Sequence, residues 1–186
     1  MRETVVQLAE WLAILALVAL ALAILIVARR AAKLLLESRD TARFREETAD
    51  LVARIEQSLS GVGGRIDAVR RQTVPAESIA ESIAAAREAV SRYEAEARAL
   101  HGPGAATEIR DAIAAELERA ARALEMVDHG CGIIASAVGG RGLEGQTSIK
   151  RGYLNVLHAR EAISRHALRA ASLGKREPDG LFERGA

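Results

Sequence analysis

The chain has 186 residues, of which 49% are apolar, 27% charged and only 3% aromatic. So few aromatics, with three prolines, exclude an all-β sandwich, which draws on aromatic strand positions and many turns. A formal charge of +1 excludes a strongly basic nucleic-acid binder and an acidic solvating tail, and the single cysteine, Cys131, excludes an intramolecular disulfide and a cysteine-built zinc site.

Alanine, leucine, arginine and glutamate dominate, which is the composition of long helices, so the expected class is all-α. The first element is an anchor, residues 1–33. From Trp11 to Ala28 run eighteen consecutive apolar residues, closed by Arg29 and Arg30. At 1.5 Å per residue they span about 27 Å, close to the hydrocarbon thickness of a bilayer. A cleaved signal peptide fits less well. Only Arg2 and the terminal amine charge its leading region, the apolar run is long, and no A-x-A site precedes the arginine pair. Arg29, Arg30, Lys33, Arg39, Arg43 and Arg45 all follow the run. The positive-inside rule therefore places the N-terminus outside and the rest in the cytoplasm.

Residues 34–74 read as a helical stalk. Val52, Ile55, Leu59, Val62, Ile66 and Val69 recur at alternating three- and four-residue spacing, the seam of coiled-coil-like packing. Gly61, Gly63 and Gly64 stand off that seam, and a break or hinge is expected there, since each glycine costs about 1 kcal/mol against alanine in a helix. Thr73-Val74-Pro75 ends the segment. The seam needs a partner: it either folds back as a fourth bundle helix or pairs with another copy.

Residues 75–174 are expected to form an antiparallel bundle of three helices, or four with the stalk. One stripe runs Ile79, Ile83, Ala86, Val90, Tyr93, Ala97, Leu100, and stops at His101-Gly102-Pro103-Gly104. A second runs from Ile109 through Ile113, Leu117, Ala120, Leu124, Val127, Cys131 and Ile134 to Val138. Folding back at the turn sets Ala97 by Ile109 and Ile83 by Leu124, an antiparallel hairpin. A third helix is expected from about 146 to 173, after Gly139-Gly140-Arg141-Gly142. Its inner stripe includes Ile149, Tyr153, Val156 and Ile163, and Leu154, Leu157 and Leu168 form a second apolar flank. Packed antiparallel, it should bring Glu125 near His158, Arg122 near Glu161 and Glu118 near Arg165. Residues 76–128 carry 6 basic and 11 acidic groups, net −5, and 141–186 carry 9 and 5, net +4, so the helices should neutralise one another. Residues 175–186 read as a disordered tail.

Four constellations bear on chemistry. Gly140 to Thr147 matches a P-loop except that Gln146 stands where the lysine must be, and no strand precedes it; the simpler reading is a turn with Thr147 or Ser148 capping the next helix. Asp128, His129 and Cys131, with Glu125 and His158, are ligand types for a transition metal, but Cys131 falls on the apolar stripe. His129 and Cys131 sit two apart on a helix and point to different faces, so neither activates the other. Arg160 lies near the inner stripe and is expected to pair with a carboxylate. No catalytic residue, metal site or cofactor is assigned.

The expected function is a non-enzymatic, membrane-tethered scaffold or interaction protein at the cytoplasmic face. Its partners are the lipid bilayer and a second protein or further copies of itself, and not nucleic acid. The docking residues are the seam Val52, Ile55, Leu59, Val62, Ile66 and Val69 and the flank Leu154, Leu157 and Leu168. The alternative is a membrane-anchored sensor that binds a small ligand or metal in the bundle.

Overall fold

The computed structural model describes residues 2–136 and 141–174, with side chains before position 20 and at 21, 23, 31, 32, 34 and 35 left aside. It is all-helical: α1 (Arg2–Arg70), a short 3-10 turn (Ala76–Ile79), α2 (Ala80–Ala99), α3 (Gly104–Ala135) and α4 (Gly142–Ser172). The chain divides between Asp40 and Thr41 into two units. Among the described residues no helix is long and apolar enough to cross a membrane. Much of the expected anchor, including the side chains from Trp11 to Val18, lies outside the described residues, as do Val138, Gly139, Gly140 and the tail at 175–186. In the first unit, the described side chains Leu20, Leu22, Ile24, Leu25, Ile26 and Val27 are all exposed.

The second unit is an up-down-up-down bundle in which α1, from Thr41 onward, is the first of four helices. Its seam is covered by the chain itself: Val52, Ile55, Leu59, Val62, Ile66 and Val69 are all buried. The pattern also extends backward through Leu51 and Thr48 to Phe44, each fully or almost fully buried. Polar contacts fix the two neighbours of α1. On the α2 side, Arg54 forms a bidentate pair with Glu96 (2.7 and 3.3 Å), Ser58 hydrogen-bonds Tyr93 (3.0 Å), and Arg65 donates to Ser82. On the α4 side, Glu56 accepts from Arg160 and Ser164, both at 2.5 Å. From Thr41 onward the stretch read as a stalk is therefore a bundle helix, the first of its two expected placements, and its seam is not available to an outside partner.

No break occurs at the glycines. α1 runs unbroken through Gly61, Gly63 and Gly64 to Arg70. The buried Leu59, Val62, Ile66 and Val69 lie on both sides of the triplet, and burying each such side chain is worth about 1.5–3 kcal/mol, more than the glycines cost. The helix ends instead in a Schellman motif. The Thr73 N–H bonds the Ala68 carbonyl and the Gln72 N–H the Val69 carbonyl, both at 2.9 Å, with Gln72 in the left-handed region at φ 60°.

The expected α2–α3 hairpin is present. Ile79, Ile83, Ala86, Val90 and Ala97 are buried, as are Ile109, Ile113, Leu117, Ala120, Leu124 and Val127. The α2–α3 turn closes over Phe44: a Cβ at Gly102 would lie 3.0 Å from the Phe44 ring. α4 begins at Gly142, one helical turn earlier than its stripe indicates. Gly145 and Gly152 are therefore helix residues, and with Gly130 they let α3 and α4 touch backbone to backbone. A Cβ on Gly130 would meet the Gly145 carbonyl at 2.8 Å, and one on Gly152 the Ala123 carbonyl at 2.7 Å. Ser148 Oγ bridges the same contact by donating to the Met126 carbonyl at 2.8 Å.

The two sets of glycines respond oppositely to an added methyl group. Gly61 and Gly64 have nothing within 4 Å of a built Cβ. Gly61→Ala and Gly64→Ala should each stabilise the bundle by up to about 1 kcal/mol, whereas Gly152→Ala should destabilise it by about 1–3 kcal/mol. Thermal unfolding followed by circular dichroism checks both signs.

Candidate docking face on α4

α4 carries two apolar sides. The inner one holds Gly145, Ile149, Gly152, Val156, Ala159, Ala162, Ile163 and Ala170, all buried. At 100° per residue, Leu143, Leu154, Leu157 and Leu168 fall within about 60° of one another, opposite that inner side. Leu143 is 78% exposed, Leu168 73% and Leu154 42%, while Leu157 is half-buried. Of the expected docking residues, then, the α1 seam is inside the core and the α4 flank is on the surface. Leu143 belongs to the same line and was not foreseen, because a helix begun at 146 leaves it in the turn.

Ser148, Arg160 and Ser164 of α4 are hydrogen-bonded to the neighbouring helices. Arg160, expected to find a carboxylate, finds Glu56 on α1 rather than one on a flanking helix position, and Ser164 takes the other carboxylate oxygen. The interhelical pairs expected between α3 and α4 do not form. Glu125 binds Arg87 of α2 at 2.8 Å, Arg122 binds Glu118, and Arg165 binds Glu161. For Arg122 and Arg165, four-residue spacing along one helix offers a nearer partner than the neighbouring helix does, and Glu125 is taken by α2 instead of α4. The glutamate-glycine stretch is helical rather than a phosphate-binding loop. Thr147 donates to the Leu143 carbonyl one turn back (2.7 Å) and caps nothing, and Arg141 pairs with Glu144 (2.8 Å).

Cys131 is buried, and its thiol is pushed up to about 11, chiefly by burial and then by the nearby carboxylates of Asp128 and Glu77. It is held as a neutral thiol at physiological pH, whereas nucleophilic and metal-ligating cysteines act as thiolates. His129 and His158 are exposed, and among the described residues no three His, Cys, Asp or Glu side chains gather as a metal-binding group. A cavity of about 570 Å³ opens at the end of the bundle remote from Thr41, between the Gln72–Pro75 turn and Ile134, Ile149 and Lys150.

At the other end His166 sits half-buried with its Nδ1 unpartnered, in a cleft that Glu108 and Arg169 share. Its pKa is lowered by burial first and by Arg169 and Arg165, against an opposing pull from Glu116 on α3. Glu116 is itself largely buried, and its Oε2 is ion-paired with Arg119 one turn on, at 3.0 Å.

No protein-family model matches the chain, and no curated protein or solved structure matches it.

The His166 environment sets a direction for acid stability. Above pH 6.5 the imidazole is neutral both folded and unfolded. Below it the unfolded chain takes up a proton that the native site resists, so stability falls as pH drops from 6.5 toward the lowered native pKa. His166→Gln should reduce the loss in Tm between pH 7.5 and pH 5.5; an unchanged loss would place the acid sensitivity elsewhere.

Proposed function

We propose that the chain is a non-enzymatic, membrane-tethered helical docking protein, held by residues 11–28 with its bundle at the cytoplasmic face, that engages a protein partner along α4. The observation that carries this reading is the line of outward-facing leucines on α4. Single exposed leucines are ordinary, but a row of them along one helix, opposite its buried side, is the pattern of a helix awaiting a second contact. Tethering draws on the uninterrupted apolar run, on the exposure of Leu20, Leu22, Ile24, Leu25, Ile26 and Val27, and on the cluster of basic residues that follows. The absence of catalysis in this reading draws on the neutral, buried Cys131 thiol. A ligand sensor is the second reading, and it is favoured by the cavity bounded by the Gln72–Pro75 turn, Ile149 and Lys150.

Tethering predicts that the full-length chain stays in the membrane pellet after alkaline carbonate, and that protease added to intact cells spares a C-terminal tag. Release into the supernatant would rule the anchor out, and tag loss would invert the topology. Docking predicts that a photo-reactive amino acid at position 154 of the full-length chain yields a discrete polypeptide adduct in cells, while one at the exposed position 92 on α2 yields none. Leu157→Ser should cut the yield at 154 several-fold with helicity unchanged. Equal labelling from positions 154 and 92 would overturn the docking face.

A further inference from the structure

We infer that the outer face of α4 pairs with the same face of a second copy of this chain, in antiparallel register about a two-fold axis between Asn155 and Val156. The inference rests on the docking reading above and names its partner. Leu143, Lys150, Leu154, Leu157, Glu161 and Leu168 are separated by 7, 4, 3, 4 and 7 residues, a sequence of intervals that reads the same in both directions. Such three-, four- and seven-residue steps keep side chains on one seam of a helix. Laid antiparallel on itself, that seam sets Leu143 opposite Leu168, Lys150 opposite Glu161, and Leu154 opposite Leu157. Each layer occurs twice, related by the two-fold, as a closed isologous contact requires. The two seam positions between these layers carry the small residues Thr147 and Ser164.

Charge selects this arrangement over its alternatives. Lys150 is exposed and makes no ion pair among the described residues. Glu161 gives only its Oε1 to Arg165, at 2.7 Å. The antiparallel pair supplies a carboxylate to Lys150 in both halves. A parallel pair would put Lys150 against Lys150 and Glu161 against Glu161, which is repulsive in both layers. An unrelated partner helix would leave the match between the two halves of α4 unexplained. From Leu143 to Leu168 the contact would run about 37 Å along the helix.

The pairing also fixes where the chain enters each copy. α1 runs antiparallel to α4, with Thr41 beside Gly174 and Glu56 on Arg160. The two-fold therefore sets the two Thr41 residues at opposite ends of the pair.

The test uses the full-length chain in membranes from cells that co-express two differently tagged copies, with Cys131→Ala in both to remove background. Leu143→Cys in one copy and Leu168→Cys in the other should be joined by a short bismaleimide. The 143–143 and 168–168 combinations should give at most one-tenth of that product. Both positions are highly exposed, so these variants retain the fold. Lys150→Glu in both copies, or Glu161→Lys in both, should lower the yield at least fivefold. Combining a Lys150→Glu copy with a Glu161→Lys copy should restore it, because opposite charges then face each other in both layers. Same-site products, or no product between 143 and 168, would overturn the self-pairing. An adduct from position 154 to a different polypeptide would also overturn it, but would leave the docking reading standing.

Discussion

The bundle depends on covering one side of α1. Between Phe44 and Val69 that side presents an apolar residue at almost every three- or four-residue step, and all of them are buried. Left in water, a seam of this length would cost about 1.5–3 kcal/mol for each large side chain. The three helices that follow have a matching deficit. With α1 absent, α2 and α4 would each expose part of an apolar stripe toward the gap. Inserting α1 closes the ring, so both deficits are removed at once. The ion pairs around it do less. Arg54–Glu96 and Arg160–Glu56 are partly solvent-exposed and contribute at most about 1 kcal/mol each. Their role is to set register, since each joins residues that only one sliding position of α1 brings together.

The α3–α4 contact is close for a different reason. Gly130, Gly145 and Gly152 remove side chains where the two backbones meet, and Ser148 fills the approach with an interhelical hydrogen bond. Glycine in a helix is ordinarily a loss, but here each one permits a contact that no other residue can make. Gly61 and Gly64 carry the same intrinsic cost with no such return, and α1 stays helical because its seam is buried on both sides of them.

The two helical hairpin stripes were readable because their periodicity is strong and a glycine-proline turn separates them. Continuity of α1 was not, because local glycine content argues for a break while the burial that overrides it is tertiary. Phe44 and Thr48 continue the seam at the right spacing, yet they sit in so charged a stretch that hydropathy hides them. The start of α4, unlike its end, is hidden from the sequence for a related reason. Gly142 and Gly145 read as turn residues until the neighbouring helix is in place, and with the turn drawn too long Leu143 dropped out of the docking line. The Glu56 pairing with Arg160 spans 104 residues and has no local signature at all.

The distribution of side-chain size on α4 bears on what its outer face is for. The inner side is built from Gly145, Gly152, Ala159, Ala162 and Ala170 around Ile149, Val156 and Ile163. Its small residues let α4 sink close to its neighbours. All four leucines of the helix, the residues best suited to fill a core, are instead on or toward the outside. A helix that served only this bundle would gain by the reverse arrangement, with leucine inside and lysine, glutamate or alanine outside, because exposed leucine adds nothing to folding and invites association. The outward leucines are therefore better explained by a second contact than by the first. Because they extend along nearly the whole helix, any partner lying on them is aligned with the bundle axis, and its direction is set relative to the point where α1 enters at Thr41.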